Sequence, residues 1–360
     1  MIPLYKVFMP DEISATLPIV LNSGEIAYGE HSKRFENKLQ SFIGNPNVLA
    51  ISGNSIFFAL KLLGIKEGDE VIVSPMSCLM TTQPIVYAGA KVVWADIDPN
   101  TGSLDPESVK EKITSKTKAI IHYHWAGYPG YIDEINKLAS EHGIKVIEDA
   151  TESFGAEYKG LKLGNTKTDI VCYSFTPVRL PNALDGGGLA FNCSDLFKKA
   201  LLLRDLGIDR SKFRDKLGEI SKDLDISTIG DSSAMNNVSG FIGASQMDYL
   251  NDLYSKQREN AKQWERYFEN EPEVKILNRR NNTNPSYWCF TILSNQRDAL
   301  LNDFRDKGFY ASKLHLRNDL YSVFGSSAMN YKGVNEFSKR QLNIPCGWWY
   351  DLSKSKVITS

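Results

Sequence analysis

The stretch VLAISGNSIFFALKLLGIKEGDEVIVS, residues 48–74, places two short apolar segments on either side of an apolar helix. Segments 48–52 and 68–74 have the length of strands, and the helical run 55–64 ends at Gly64. Continuous apolar strands are typical of a parallel sheet that helices cover on both faces. This stretch therefore predicts a strand–helix–strand unit with a right-handed crossover.

The same alternation continues along the chain to about residue 192. Further strands are predicted at KVVWADI (91–97), KAIIHYH (118–124), KVIEDA (145–150), DIVCYSF (169–175) and GGLAFN (187–192). Beyond residue 195 the pattern changes to helices, including a long charged helix around 244–270, a polar linker and a strand at 286–293. We expect an α/β protein with a mostly parallel central sheet over residues 1–245 and a smaller α+β domain over 246–360.

Composition excludes several classes of protein. The 360 residues carry 42 Lys and Arg against 43 Asp and Glu, which argues against a broad basic surface for nucleic acid. No stretch of about 18 apolar residues and no apolar leader is present, so we expect no membrane span and no secretion signal. The 5 cysteines are scattered without a CxxC pair, which predicts neither a disulfide framework nor a zinc ribbon and favours the reducing cytoplasm.

Ligands of parallel α/β sheets bind beyond the carboxyl ends of the strands. Ser52, Gly53 and Asn54 follow the first strand, where small residues at a helix start suit an anion, although an ordinary capped turn has the same pattern. Asp149 ends the strand KVIED. A buried carboxylate needs a partner, either a cation such as a protonated ring nitrogen or the backbone of the next turn.

Two further stretches follow predicted strands. Ser174 begins the segment SFTPVR, and a glycine run, DGGG at 185–188, comes soon after it. Cys78 follows the strand DEVIVS, where simple core packing is the alternative. His122 and His124 share one strand face, but no third ligand at a sensible spacing supports a metal site.

In their order and spacing, these motifs resemble the nucleotide-sugar aminotransferases of the DegT/StrS type. The resemblance includes YAGAKVVWADIDPNTGSLDPESV (87–109), TKAIIHYHWAGYPGYIDEI (117–135), HGIKVIEDATESFGAEYKGLKLG (142–164) and QLNIPCGWW (341–349). It implies a homodimeric enzyme of the fold type I class of pyridoxal phosphate enzymes, acting on a nucleotide-linked sugar.

The resemblance also implies a role for individual residues. Asp149 matches the carboxylate that pairs with the pyridinium nitrogen of the cofactor. The other matched positions surround the same cofactor: Ser52, Gly53 and Ser174 at the phosphate, Glu152 near the ring hydroxyl, Cys78 where a stacking aromatic is usual, and Ser232 where an asparagine reaches the partner subunit's phosphate.

One position departs from the family in a way that changes the chemistry. The lysine that forms the internal aldimine lies five residues after the serine of the Ser-Phe pair, and here that residue is Arg179. No lysine lies between Lys167 and Lys198. Guanidinium stays protonated in proteins (pKa above about 12), so Arg179 cannot hold pyridoxal phosphate covalently.

Three hypotheses remain open for the function. The chain acts on a nucleotide-linked keto-sugar with pyridoxal or pyridoxamine phosphate held non-covalently, or it is a divergent relative that binds no cofactor and serves as a binding or assembly partner, or another amine replaces the lysine. We expect Arg179 to contact Asp149, Glu152 or Asp185, because a buried guanidinium needs a partner. A pair with Asp149 would occupy the place of the ring and favour the second hypothesis.

Overall fold

The computed structural model describes residues 1–325 and 330–354. Its helices are α1 (Glu12–Asn22), α2 (Glu30–Ile43), α3 (Ser55–Leu62), α4 (Leu79–Tyr87), α5 (Pro106–Lys112), α6 (Ile132–His142), α7 (Ser194–Arg204), α8 (Asn237–Gln246), α9 (Leu250–Tyr267), α10 (Arg297–Asp306) and α11 (Lys332–Arg340). Its strands are β1 (Val48–Ile51), β2 (Glu70–Val73), β3 (Lys91–Trp94), β4 (Thr117–Tyr123), β5 (Lys145–Asp149), β6 (Glu157–Tyr158), β7 (Leu161–Lys162), β8 (Ile170–Ser174), β9 (Gly187–Phe191), β10 (Lys275–Ile276), β11 (Thr283–Asn284), β12 (Phe290–Leu293) and β13 (Gln341–Ile344).

The central sheet has seven strands in the order β1-β9-β8-β5-β4-β2-β3. The strands from β8 to β3 pair in parallel, whereas β9 is antiparallel to both β8 and β1. The mostly parallel sheet is therefore confirmed, with β1 running in the same direction as β5 and β8. Ser52, Asp149 and Ser174 consequently lie together along the side of the sheet where the carboxyl ends of these strands meet, as predicted.

The prediction that GGLAFN completes the parallel series was wrong. The connection between β8 and β9 contains no α-helix, and a parallel return to the same sheet usually needs a helical crossover. The chain therefore turns back at the edge where Ser174 lies. This turn brings the segment 175–186, with Arg179 and Asp185, to the carboxyl ends of the strands.

Both faces of the central sheet are buried, which explains its uninterrupted apolar strands. Leu49 and Ile51 pack into one hydrophobic cluster, whereas Val48 and Ala50 of the same strand pack into another. The first cluster continues to Trp264 and other residues near the C-terminal sheet β10-β12-β13.

The C-terminal part differs in detail from the sequence prediction. The long charged helix expected over 244–270 is divided into α8 and α9 by a 3₁₀ turn at Met247–Tyr249. The division into domains at residue 245 stays a prediction. None of the helices within 1–325 and 330–354 is both long and apolar enough to cross a bilayer.

A buried ion cluster fixes the edge strand β1. Glu36 Oε1 accepts a hydrogen bond from the backbone N–H of Ala50 at 2.9 Å and pairs with Arg204 Nη1 at 2.6 Å. Arg204 Nη2 also pairs with Asp205 at 2.9 Å. Burial raises the pKa of Glu36, against the opposing charge of Arg204. Since β1 leads directly into residues 52–54, this cluster also positions the start of α3.

We expect Arg204→Met to destabilise the fold by about 3–5 kcal/mol, because it removes the cation that pairs with the buried Glu36, whereas Asp205 keeps its pair with Arg210 at 3.0 Å. Urea unfolding measures this change. Lys198→Met is the matched control on the same helix, since Lys198 is exposed and pairs only with the exposed Asp195 at 3.5 Å. The control should change stability by no more than about 0.5 kcal/mol, and equal effects of the two substitutions would contradict the account.

Candidate functional site

The turn between β1 and α3 presents a helix start at the edge of the sheet. Asn54 caps α3, and its side-chain oxygen accepts from the Phe57 N–H at 3.0 Å. The Asn54 amide also donates to the Met80 carbonyl at 2.9 Å, which joins the starts of α3 and α4. Gly53 has a φ of 82°, a conformation that favours glycine.

A cavity with about 510 Å³ of empty volume, part of it open to solvent, lies beside this turn. We call it the polar cavity because hydroxyl, carboxylate and guanidinium groups border it. Its lining consists of Gly53, Asn54, Ser55, Ile56, Cys78, Met80, Thr81, Thr151, Tyr173, Ser174, Thr176, Arg179, Asp185 and Gly186. It therefore unites the ends of four predicted strands with the segment that carries Arg179.

Asp149 is fully buried and does not itself border the polar cavity, but it contacts Thr81 and Thr151, which do. Its Oδ2 accepts from the Thr81 hydroxyl at 2.5 Å, and its Oδ1 accepts from the Thr151 N–H at 3.0 Å. Burial raises the pKa of Asp149, although both threonines oppose the shift. Such a carboxylate would be stabilised by a cationic partner within the cavity.

Glu152 has the opposite electrostatic environment. Its Oε1 lies 3.2 Å from His315 Nε2 and 3.4 Å from Arg179 Nη2, and its Oε2 accepts from the Tyr123 hydroxyl. Burial alone would raise the pKa of Glu152, but His315, Arg179 and the hydrogen bonds lower it to about 2. Glu152 therefore stays ionised and holds together residues from distant parts of the chain.

Arg179 pairs with Glu152, one of the three carboxylates predicted for it, and not with Asp149. Its guanidinium carbon lies 4.4 Å from the centre of the Trp288 ring, a cation–π contact. Its Nε and Nη1 atoms are buried and have no hydrogen-bond partner among the described residues. The guanidinium is thus fixed on one side while two of its nitrogens still lack acceptors.

A second cavity of about 460 Å³ lies on the other side of Arg179. We call it the aromatic cavity, and its lining is Tyr5, Lys6, Thr151, Glu152, Phe154, Val178, Arg179, Leu180, Tyr254, Gln257, Ser286, Trp288, Trp348 and Trp349. Thr151 and Arg179 border both cavities. The two residues form the partition between a polar compartment and an aromatic one.

Of the remaining predicted residues, some border the polar cavity and others do not. Cys78 caps α4 and borders the polar cavity, and burial raises the pKa of its thiol. The Ser174 hydroxyl lies 3.0 Å from that of Thr176 in the same cavity. Ser52 and Ser232 are exposed and do not border the polar cavity.

His122 and His124 are buried and engaged in hydrogen bonds away from both cavities. His122 Nε2 lies 3.0 Å from the Ser103 hydroxyl, and His124 Nε2 lies 3.2 Å from Glu148. No group of three or more metal-binding side chains occurs among the described residues. The two histidines belong to a buried polar network in the fold.

Several important residues were not identified from the sequence. Thr81, three residues after Cys78, has no pattern that marks it in the sequence, and Tyr123 is part of a predicted strand. Trp288 lies in a segment, SYWCFTIL, that was interpreted solely as a strand. From the sequence alone, His315 in SKLHLRN could be either a site residue or a surface residue. The only signal in the sequence was an aromatic or titratable side chain in a strand or loop that does not need one in order to fold.

Comparison with known proteins places these features in a family. The model of the DegT/DnrJ/EryC1/StrS aminotransferase family matches residues 9–358. GDP-perosamine synthase of Escherichia coli O157:H7 is 27% identical over 337 residues, covering 92% of this chain and 88% of that protein. UDP-2-acetamido-2-deoxy-3-oxo-D-glucuronate aminotransferase of Pseudomonas aeruginosa is 36% identical over 193 residues, covering 53% of this chain and 54% of that protein.

The fold matches a solved structure along nearly its whole length. The sugar aminotransferase CalS13 from Micromonospora echinospora superposes with a TM-score of 0.91 at 28% identity. The match covers 99% of this chain and 98% of that one. The fold type I aminotransferase architecture is therefore confirmed.

We expect Glu152→Gln to lower the free energy of unfolding by about 3 kcal/mol at pH 7, because the ionised form is stabilised in the fold relative to the unfolded chain. The depressed pKa means that this stabilisation is present above pH 4.5 and is lost as the pH falls towards 2. Urea unfolding at pH 7, 5 and 3.5 should show a difference from wild type that narrows with acidity.

Glu141→Gln is the control for this pH series. Glu141 is exposed and lies 3.9 Å from Lys137, so its loss should change stability by no more than about 0.5 kcal/mol at each pH. A Glu152→Gln difference that stays constant from pH 7 to pH 3.5 would show that Glu152 is not the ionised centre of the cluster.

Proposed function

The chain belongs to the DegT/DnrJ/EryC1/StrS aminotransferase family, and we propose that it acts on a nucleotide-linked keto-sugar with a non-covalently held pyridoxamine phosphate. The names of the relatives support a nucleotide-sugar substrate, and one relative is a spore coat polysaccharide biosynthesis protein of Bacillus subtilis. We assign the protein to cell-surface polysaccharide or deoxyaminosugar biosynthesis, in the cytoplasm.

The residues of the polar cavity fit this cofactor in all but its covalent attachment. The start of α3 and the hydroxyls of Ser174 and Thr176 suit the phosphate, since helix N-termini favour anions. Asp149 suits a protonated ring nitrogen. Arg179, in contrast, offers no amine for a Schiff base. The fit therefore supports binding of a cofactor that arrives already carrying its amine.

When bound, pyridoxamine phosphate supplies the amino group and a ring that accepts electrons. Asp149 would hold the proton on the ring nitrogen, with both of its oxygens fixed by Thr81 and Thr151. Arg179 would donate to oxygens of the substrate, since a guanidinium remains charged and is a poor base. Glu152 would keep that guanidinium in place.

The observation that carries this proposal is the separation of Arg179 from Asp149. Because Arg179 pairs with Glu152, its guanidinium does not neutralise Asp149, which remains available to a cationic ring. The alternative is a divergent relative that binds no cofactor and acts as a binding or assembly partner. Cys78 in place of a stacking aromatic favours that alternative, and the binding experiment below separates the two.

We further propose that the protein is a homodimer, with Ser232 directed to the partner's site. The segment before Ser232 exposes large apolar side chains, including Leu206, Leu217 and Ile229 at 52%, 87% and 93% exposure. Exposed apolar surface of this kind is typical of an interface. Light scattering at micromolar concentration should report a dimer, and a monomer would contradict this assignment.

Titration calorimetry of pyridoxamine phosphate should detect binding to the wild-type protein. Asp149→Asn should weaken this binding by about 10- to 100-fold, because it removes a charged hydrogen-bond acceptor for the ring nitrogen. Asp185→Asn is the matched control, since Asp185 borders the same cavity and its removal withdraws the same charge. Its affinity should stay at or above that of wild type.

Two outcomes would contradict the proposal. Absence of binding to the wild-type protein would favour the divergent relative, and equal affinity of wild type and Asp149→Asn would remove the role of Asp149. Borohydride reduction after addition of pyridoxal phosphate provides a second control. We expect a covalent adduct at residue 179 only in Arg179→Lys, so a wild-type adduct at another lysine would support ordinary transamination.

A further inference from the structure

Two residues that border the aromatic cavity carry buried hydrogen-bond donors that the described part of the protein does not satisfy. Trp349 Nε1 and two nitrogens of Arg179, Nε and Nη1, are buried without an acceptor in the part of the chain that the structure describes. Both residues border this cavity. Buried donors are nearly always paired in folded proteins, so unpaired donors at one cavity indicate that an acceptor comes from outside the chain.

Other polar groups of the same cavity are already engaged. The Trp288 indole donates to the Val178 carbonyl at 3.0 Å, and the Tyr254 hydroxyl donates to the Leu180 carbonyl at 2.7 Å. Gln257 Nε2 donates to the Ser286 carbonyl at 2.8 Å. The polar atoms of these neighbours are hydrogen-bonded within the protein, unlike the donors of Trp349 and Arg179 described above.

The walls of the cavity are aromatic and are held in place. Tyr5 stacks on Trp288 with ring centres 6.2 Å apart, and Trp348 packs against Phe8 with centres 5.1 Å apart. The loop that carries Trp348 and Trp349 is fixed by Asn260, whose Nδ2 donates to the Gly347 carbonyl at 2.8 Å. The cavity therefore combines flat aromatic walls with a few unpaired hydrogen-bond donors.

We propose that the aromatic cavity is the subsite for the sugar ring of the substrate, and that the Trp349 indole N–H and the Arg179 guanidinium donate to its oxygens. The apolar C–H faces of a pyranose pack on aromatic rings, while its oxygens supply the missing acceptors. This inference rests on the proposed function and adds to it the residues that recognise the sugar.

The position of the cavity favours the sugar over the nucleotide base. Arg179 and Thr151 are shared with the polar cavity, so the group bound here lies next to the proposed cofactor site. The part of a nucleotide-linked sugar that must lie there is the sugar, because it contains the reacting carbon. In this arrangement Arg179 binds the substrate. It lies at the position where the family has the lysine that holds the cofactor covalently.

Paired tryptophan variants test this assignment. Calorimetry with pyridoxamine phosphate present compares UDP-N-acetylglucosamine with UDP, and GDP-mannose with GDP, for wild type, Trp349→Phe and Trp348→Phe. The ratio of the two affinities measures the contribution of the sugar. Trp349→Phe keeps an aromatic ring but removes the N–H, so it should reduce this ratio by about 3- to 10-fold.

Trp348→Phe is the matched control. It borders the same cavity, but its indole nitrogen is not among the buried unpaired donors, so the ratio should change by less than about twofold. Arg179→Gln, a second variant, should reduce the ratio by about tenfold or more, because hydrogen bonds from charged donors are stronger. Thermal unfolding of each variant verifies that the fold is retained.

The outcomes separate this inference from the proposed function. Equal effects of Trp349→Phe and Trp348→Phe would overturn the role of the indole N–H. A wild-type protein that binds each nucleotide sugar no better than its nucleoside diphosphate would overturn the sugar subsite while leaving nucleotide binding intact. A wild-type protein that binds none of the four compounds would contradict the proposed function, and this inference with it.

Discussion

The site depends on the ion pair between Arg179 and Glu152, which join at 3.4 Å with side chains 11% and 0% exposed. A buried guanidinium is stable only beside an anion, and a buried carboxylate stays ionised only beside a cation or several donors. The presence of arginine therefore requires Glu152 to remain charged. The same contact turns Arg179 away from Asp149 and sets the partition between the polar and aromatic cavities.

The two buried carboxylates of this site are driven in opposite directions by their surroundings. Burial raises the pKa of Asp149, whose hydrogen-bond donors are Thr81 and Thr151 and which has no cationic partner within the described residues. Charge and hydrogen bonding lower the pKa of Glu152, whose partners Arg179 and His315 come from the chain itself. Divergent pKa values in one site are typical of groups with different roles. In our proposal Asp149 binds the cationic ring of the cofactor, and Glu152 positions the guanidinium of Arg179.

The sequence allowed the strand ends to be predicted because apolar periodicity is local. The strand 145–149 and the placement of Asp149 at its end follow from five consecutive residues. The direction of β9 did not follow, because it depends on the length and structure of the connection after β8. The partners of Glu152 did not follow either, since His315 lies 163 residues away and is brought close only by packing of the C-terminal segment. In the sequence, Trp349 is only one residue of the motif QLNIPCGWW. An unpaired indole N–H can be recognised only in the three-dimensional structure.

The central claim is that Arg179 has replaced a covalent anchor while leaving room for a cofactor beside Asp149. A crystal structure of the wild-type protein grown with pyridoxamine phosphate tests it most directly. The account predicts a ring whose nitrogen lies within hydrogen-bond distance of Asp149, no bond to residue 179, and an Arg179–Glu152 contact that persists. An empty polar cavity, or a guanidinium moved onto Asp149, would contradict it.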